Sequence, residues 1–115
     1  MPDLIAQGPR PQQRWRRKLP VERKLVLGRA AGRWVVPWDD RISRRHVELD
    51  WRQDRLRVQR LPTARNPVFF GGQEQESFSL VPGEHFVIGE TTFTLADERV
   101  DISQDAPSPV TEQIF

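Results

Sequence analysis

Val47-Glu48-Leu49-Asp50-Trp51 alternates apolar and charged residues, and after Arg52-Gln53-Asp54-Arg55 the stretch Leu56-Arg57-Val58-Gln59-Arg60-Leu61 repeats the alternation. A period of two places every second side chain on one face of an extended strand, so each stretch reads as a strand with one buried face. Their separation by four polar residues makes them a hairpin. The connection lacks Gly, so the sequence does not fix its turn type.

The same texture extends outward in both directions. Upstream, Arg14-Trp15-Arg16-Arg17-Lys18-Leu19 and Arg23-Lys24-Leu25-Val26-Leu27 are short strand candidates with Pro20 as a break between them. Downstream come Val68-Phe69-Phe70 before Gly71-Gly72, then Phe78-Ser79-Leu80, Phe86-Val87-Ile88 and Thr92-Phe93-Thr94-Leu95. Val81-Pro82-Gly83-Glu84 sets Pro before Gly as a type II turn requires, and Gly89-Glu90 suits a tight hairpin. No window of ten or more residues carries a helical period. Short strands punctuated by turns predict an all-β chain, a sandwich of two antiparallel sheets.

Residues 1–13 contain three Pro, a Gly and no period, and read as a flexible leader. Residues 14–96 form the expected domain. From 97 to 115 the strand pattern gives way to Asp97, Glu98, Asp101, Asp105 and Glu112 around Pro107 and Pro109, an acidic tail or linker. The chain stops at Thr111-Glu112-Gln113-Ile114-Phe115 without a recognisable domain end, so a front piece of a longer signalling protein is expected.

With 115 residues, 37% hydrophobic and 30% charged, there is room for one small domain. The absence of Cys excludes a disulfide framework and thiolate zinc sites. No apolar run approaches the ~18 residues of a membrane helix, and the start lacks a secretory pattern. A cytoplasmic protein without a membrane partner is expected. Residues 1–65 hold 17 Lys/Arg against 7 Asp/Glu, while residues 66–115 hold 1 against 9. In an interleaved β fold such halves mostly neutralise each other, and no nucleic-acid motif accompanies the basic residues, so no nucleic-acid partner is expected. Trp34, Trp38 and Trp51 read as core or loop packing, not as a surface for stacking bases.

The chemistry lies in three loops. Gly28-Arg29 follows the strand Leu25-Val26-Leu27, Ser43-Arg44-Arg45-His46 precedes Val47, and Arg65-Asn66 lies between two later strands. Arg offers a permanent charge and a fork of donors suited to phosphate oxygens. Ser adds a short neutral donor, and Asn grips peptide backbone with donor and acceptor. None is a nucleophile beside a base, so the set holds a phosphate and does not transfer one. Taken singly, Ser43 is equally a turn former, and Arg65 and Asn66 equally a rigid surface loop.

The G-R, S-x-x-H, N order and spacing from about Val21 to Leu95 resembles the forkhead-associated (FHA) domain family. The resemblance implies a β-sandwich of the SMAD/FHA kind. It implies that Arg29 binds phosphate with Ser43, Arg44 and Arg65, and that Asn66 bonds the bound peptide's backbone. Gly28 and His46 would support the site, the His ring nitrogens bonding loop backbone beneath the Gly-Arg turn. Family members usually carry Ser and Gly where this chain has Ala64 and Pro67. Pro67 denies the turn a positive φ, so its shape must differ.

The function implied is a phosphothreonine-dependent binding module without cofactor or metal; the competing reading is a phosphate-independent interaction domain on the same scaffold. No catalytic constellation or P-loop is present, so this segment is not read as an enzyme. The resemblance extends to front domains of protein kinases and nucleotide cyclases, whose catalytic part would lie elsewhere. Expected partners are phosphothreonine-containing proteins and the chain's own tail around Thr111.

Overall fold

The computed structural model describes residues 2–30, 32 and 34–97; the tail reading from 98 onward lies outside them. Among the described residues ten strands follow one another without a helix: β1 (Asp3–Gln7), β2 (Arg14–Lys18), β3 (Lys24–Leu27), β4 (Val47–Arg52), β5 (Arg55–Arg60), β6 (Val68–Phe70), β7 (Gln73–Glu74), β8 (Ser77–Leu80), β9 (His85–Ile88) and β10 (Thr91–Ala96). They form a six-stranded sheet ordered β2-β1-β10-β9-β6-β7 and a four-stranded sheet ordered β3-β4-β5-β8. All ladder pairs are antiparallel, and the all-β sandwich expected from the alternation is what forms.

The alternation in β4 and β5 turns Val47, Leu49, Trp51, Leu56 and Val58 onto one buried face. They meet Leu4, Ala6, Phe86, Phe93 and Leu95 of the other sheet in a single core. Aromatic rings join the layers: Phe78 of β8 stacks on Phe70 of β6 at 4.7 Å and meets Phe86 edge-on at 5.7 Å, and Phe86 stacks on Phe93 at 4.9 Å. Trp34 and Trp51 are buried, and Trp15 stands edge-on to Trp34 while its indole N–H donates to the Val35 carbonyl at 2.8 Å.

The flexible leader is corrected. Asp3–Gln7 is a central strand, held by β2 on one side and β10 on the other, with Leu4, Ile5 and Ala6 wholly buried. Three consecutive buried residues carry no period-two signal, because a strand covered on both faces reads as a plain apolar run. Only the turn at residues 8–13 uses the Pro and Gly that colour this region; it closes through Gly8 N–H on the Gln13 carbonyl at 2.6 Å.

The β4–β5 connection is a two-residue turn in which Gln53 and Asp54 both adopt positive φ, 55° and 61°. Two such residues define a type I′ geometry normally filled by Asn-Gly, and each non-Gly residue there is strained. Asp54→Gly is expected to stabilise the domain by about 0.5–1 kcal/mol, seen as a higher urea midpoint at unchanged slope. The two turns read from sequence form as expected. Gly83 has φ 100° with Glu84 N–H on the Val81 carbonyl at 3.1 Å, and Gly89 has φ 58° between β9 and β10.

The registers also orient the molecule. β3 runs from Lys24 toward Gly28 at one end, where β10 begins at Thr91; Ala96 and Asp3 pair at the opposite end. The chain therefore enters and leaves at the end away from Gly28.

Candidate phosphate-binding site

Three loops meet at that Gly28 end. After β3 the backbone turns at Gly28, where a Cβ would lie 2.1 Å from the Arg44 carbonyl oxygen and 2.7 Å from that of Ser43. Gly is needed here for close approach of two backbones, and its φ is not in the left-handed region. The contact is hydrogen-bonded: Arg29 N–H donates to the Ser43 carbonyl at 2.9 Å, and Val36 N–H to the Gly28 carbonyl at 2.9 Å.

His46 ties the second loop to the third. Its Nδ1 accepts the Ser43 N–H at 2.9 Å, and its Nε2 lies 2.9 Å from the Asn66 carbonyl oxygen. Since Nδ1 must accept, the proton resides on Nε2 and is donated to Asn66, which makes the ring neutral. Burial holds its pKa below the ordinary 6.5, more than the bond to Asn66 raises it; Arg60 lowers it further and Asp39 raises it. The unfolded chain takes up this proton near pH 6.5 and the folded chain does so only lower. This contribution to stability is therefore complete above pH 6.5 and lost as pH falls through the folded value. Urea midpoints are expected to drop below about pH 6.5, and His46→Gln to flatten that drop.

A second carboxylate-centred tie fixes the same loop from behind. Asp39, 6% exposed, accepts Arg41 N–H at 3.0 Å, Glu90 N–H at 2.8 Å and the Thr91 hydroxyl at 2.8 Å. The Thr91 oxygen in turn accepts the Trp38 indole N–H at 3.0 Å. Nothing in the sequence marked Asp39, two of whose three partners lie some fifty residues away. Asp39→Ala removes the acceptor of a buried hydroxyl and two backbone groups and is expected to cost about 2–4 kcal/mol, read by thermal or urea unfolding.

The loops enclose an open hollow of about 590 Å³ lined by Arg29, Arg41, Ser43, Arg44, Arg45, Arg65 and Asn66, with Asp40 as the one carboxylate among the described lining residues. The structure thus brings together Arg29, Ser43, Arg44, Arg65 and Asn66, and sets Gly28 and His46 beneath them. Arg29 is exposed; its Nε–H donates to the Ile42 carbonyl at 3.1 Å, which aims the guanidinium, and its terminal amino groups bond no described residue. Ser43 Oγ accepts the Arg65 N–H at 3.0 Å, so its own proton remains to be donated outward. The Ser43 N–H is taken by His46 and adds no donor to the hollow. Asn66 spends one of its two amide N–H groups on the Arg41 carbonyl at 2.8 Å and keeps Oδ1 as an acceptor. Its φ is negative, as a residue before Pro67 requires. Ala64, where the family has Ser, is buried, and its carbonyl accepts Arg60 at 3.0 Å. Arg41 and Arg45 also line the hollow, and the sequence reading named neither as a ligand.

No protein-family model and no curated protein matches the sequence. Solved structures do match. The FHA domain of the CT664 protein from Chlamydia trachomatis is 19% identical, with TM-score 0.65 over 83% of this chain and 97% of its own. An FHA domain studied for phosphothreonine-dependent interactions is 15% identical, with TM-score 0.65 over 85% and 99%. Mycobacterium tuberculosis EmbR, in complex with a low-affinity phosphopeptide, is 16% identical, with TM-score 0.61 over 82% of this chain and 24% of its own. Over more than four-fifths of its length this two-sheet sandwich matches forkhead-associated domains, and the chain has the FHA fold.

Proposed function

We propose that this chain is a phosphothreonine-dependent protein-binding module, which docks a larger signalling protein on a kinase-modified partner. The convergence of five Arg and the Ser43 hydroxyl on one open hollow carries the reading. A phosphothreonine brings nearly two negative charges and three acceptor oxygens, which the Arg29 fork, the Ser43 hydroxyl and Arg44 and Arg65 suit. Asn66 Oδ1 would accept a peptide N–H beside it. The phosphopeptide complex of EmbR and the phosphothreonine dependence studied in another neighbour support the same reading. Catalytic activity, as in a nucleotide cyclase or protein kinase, would belong to other domains of a cytoplasmic parent.

Calorimetric titration with a degenerate phosphothreonine peptide library and its unphosphorylated counterpart tests this. Heat only from the phosphorylated library is the expected result. A second reading, phosphate-independent protein binding on this scaffold, is favoured by one observation: one amide N–H of Asn66 is committed to Arg41 inside the loop. Equal heat from both libraries would establish that reading instead.

A further inference from the structure

A second hollow lies on the side of the sandwich where β2 ends the six-stranded sheet and β3 ends the four-stranded one. Its volume is about 540 Å³, and it shares no described lining residue with the phosphate hollow. Arg16, Arg17, Lys18 and Arg23 supply its charge, and no carboxylate stands among its described lining residues. Arg16 is neutralised by Asp3. The side chains of Arg17, Lys18 and Arg23 form no ion pair with a described residue. Three uncompensated cations around one hollow raise a positive potential that its low-dielectric walls focus. Those walls are fixed in place. The link from β2 to β3 is pinned by Leu19 N–H on the Pro2 carbonyl at 3.0 Å and by Glu22 N–H on the Trp51 carbonyl at 2.8 Å. Arg17 lies over the Trp15 ring at 5.2 Å, and its Nε is enclosed without a described hydrogen-bond partner, so packing and not an acid holds its guanidinium. Pro20, Leu25 and the buried Trp34 make up the apolar part of the lining. A hollow formed in advance loses little freedom on binding.

We propose that this hollow is a second docking site, which takes a short, extended, acidic peptide segment of a partner protein and needs no phosphate. Charge complementarity selects the sign of the ligand, whose carboxylates meet Arg17, Lys18 and Arg23. The apolar lining receives a side chain between those acids. An extended peptide fits because β2 and β3 are the outermost strands of their sheets, and among the described residues no strand pairs with their outer edges. Backbone donors and acceptors are therefore on offer beside the cations. A second copy of this chain is disfavoured, since it would bring its own cationic edges against these. A single-stranded nucleic acid is disfavoured as well. Its bases need aromatic faces to stack on, whereas Trp34 is 8% exposed and has Trp15 edge-on to it at 5.6 Å. Lys18 lies level with Asp3 and Ala96, at the end away from Gly28, so a peptide here leaves the phosphate hollow open.

The test uses the full chain and a fluorescein-labelled library of unphosphorylated peptides in which Asp or Glu alternates with Leu or Val, read by fluorescence anisotropy at low salt. Saturable binding is expected, with amide shifts on peptide addition centred on Arg17, Lys18 and Leu25. The double variant Lys18→Glu, Arg23→Glu changes two exposed side chains and should weaken binding about tenfold or more while keeping a folded spectrum. Arg29→Ala should leave it unchanged. No binding by the folded chain overturns the proposal. So does binding indifferent to the double variant, or equal affinity for a library with Lys in place of the acids. Loss through Arg29→Ala would put the acidic peptide in the phosphate hollow, and tighter capture of a single-stranded oligonucleotide of matched charge would make the groove a nucleic-acid site; either result overturns the proposal too.

Discussion

A chain shortened to begin at residue 9 should not fold. The loss removes β1 from the middle of the six-stranded sheet, and with it the ladders to β2 and β10. Leu4 and Ile5 are wholly buried side chains, each worth about 1.5–3 kcal/mol against exposure. Two facing strands would also lose their backbone partners, which water can replace only by entering the core beside Phe93 and Trp15. The combined loss equals much or all of the ~5–15 kcal/mol by which such domains are stable. Circular dichroism should show no cooperative thermal transition. A cooperative transition near that of the full chain would mean that β2 pairs directly with β10 and that the central strand is dispensable.

The second large effect is on binding. Arg29→Ala should leave the fold intact, because the side chain is exposed and its one bond to a described residue is the Nε–H to Ile42. Charge-assisted bonds to phosphate are worth ~1.5–3 kcal/mol each, so the variant should lose about 2–5 kcal/mol of phosphopeptide affinity. That corresponds to about 30-fold to several thousand-fold, close to abolition for a modest binder. Ser43→Ala should cost less, since the hydroxyl is neutral and also serves Arg65 within the loop. Arg29→Lys should recover only part, because an ammonium keeps the charge but not the fork. Calorimetry on the three variants, each with a wild-type urea midpoint, checks the series. Undiminished phosphate-dependent binding by a folded Arg29→Ala protein would remove Arg29 from the site.

Legibility in the sequence followed the number of faces a strand leaves open. β4 and β5 alternate because one side meets the core and the other meets water, and they were readable almost to the residue. β1 and β10 are buried on both sides, and β10 was found through its turn, Gly89-Glu90, where β1 had only the Pro-rich residues after it. The site residues were legible as types at a spacing, since Arg29, Ser43 and Asn66 lie in separate loops whose meeting a linear pattern does not show. The ties that bring them together were mostly hidden. His46 was marked by its place after Ser43, whereas Asp39 bonds the β9–β10 turn through two backbone-proximal contacts that no local signal announces. Arg41 enters the hollow because its carbonyl holds the Asn66 amide, a contact across 25 residues.

On the function proposed above, the pairing of Asp3 with Ala96 at the end away from Gly28 bears on which phosphothreonines reach the hollow. The molecule measures 35 × 31 × 26 Å, so a phosphorylated residue downstream of Asp97 must travel most of its length to reach Arg29 of the same molecule. At ~3.3 Å per residue, a phosphothreonine within about eight residues of Asp97 has an effective concentration near zero at its own site. Thr111 lies fourteen residues on, where the ~46 Å of a fully extended segment exceeds that distance. Self-capture from Thr111 requires most of that contour length, while a phosphothreonine on a second molecule approaches without that constraint. The geometry biases the hollow toward ligands in trans, so occupancy should rise with the concentration of the partner and hardly with phosphorylation of its own tail.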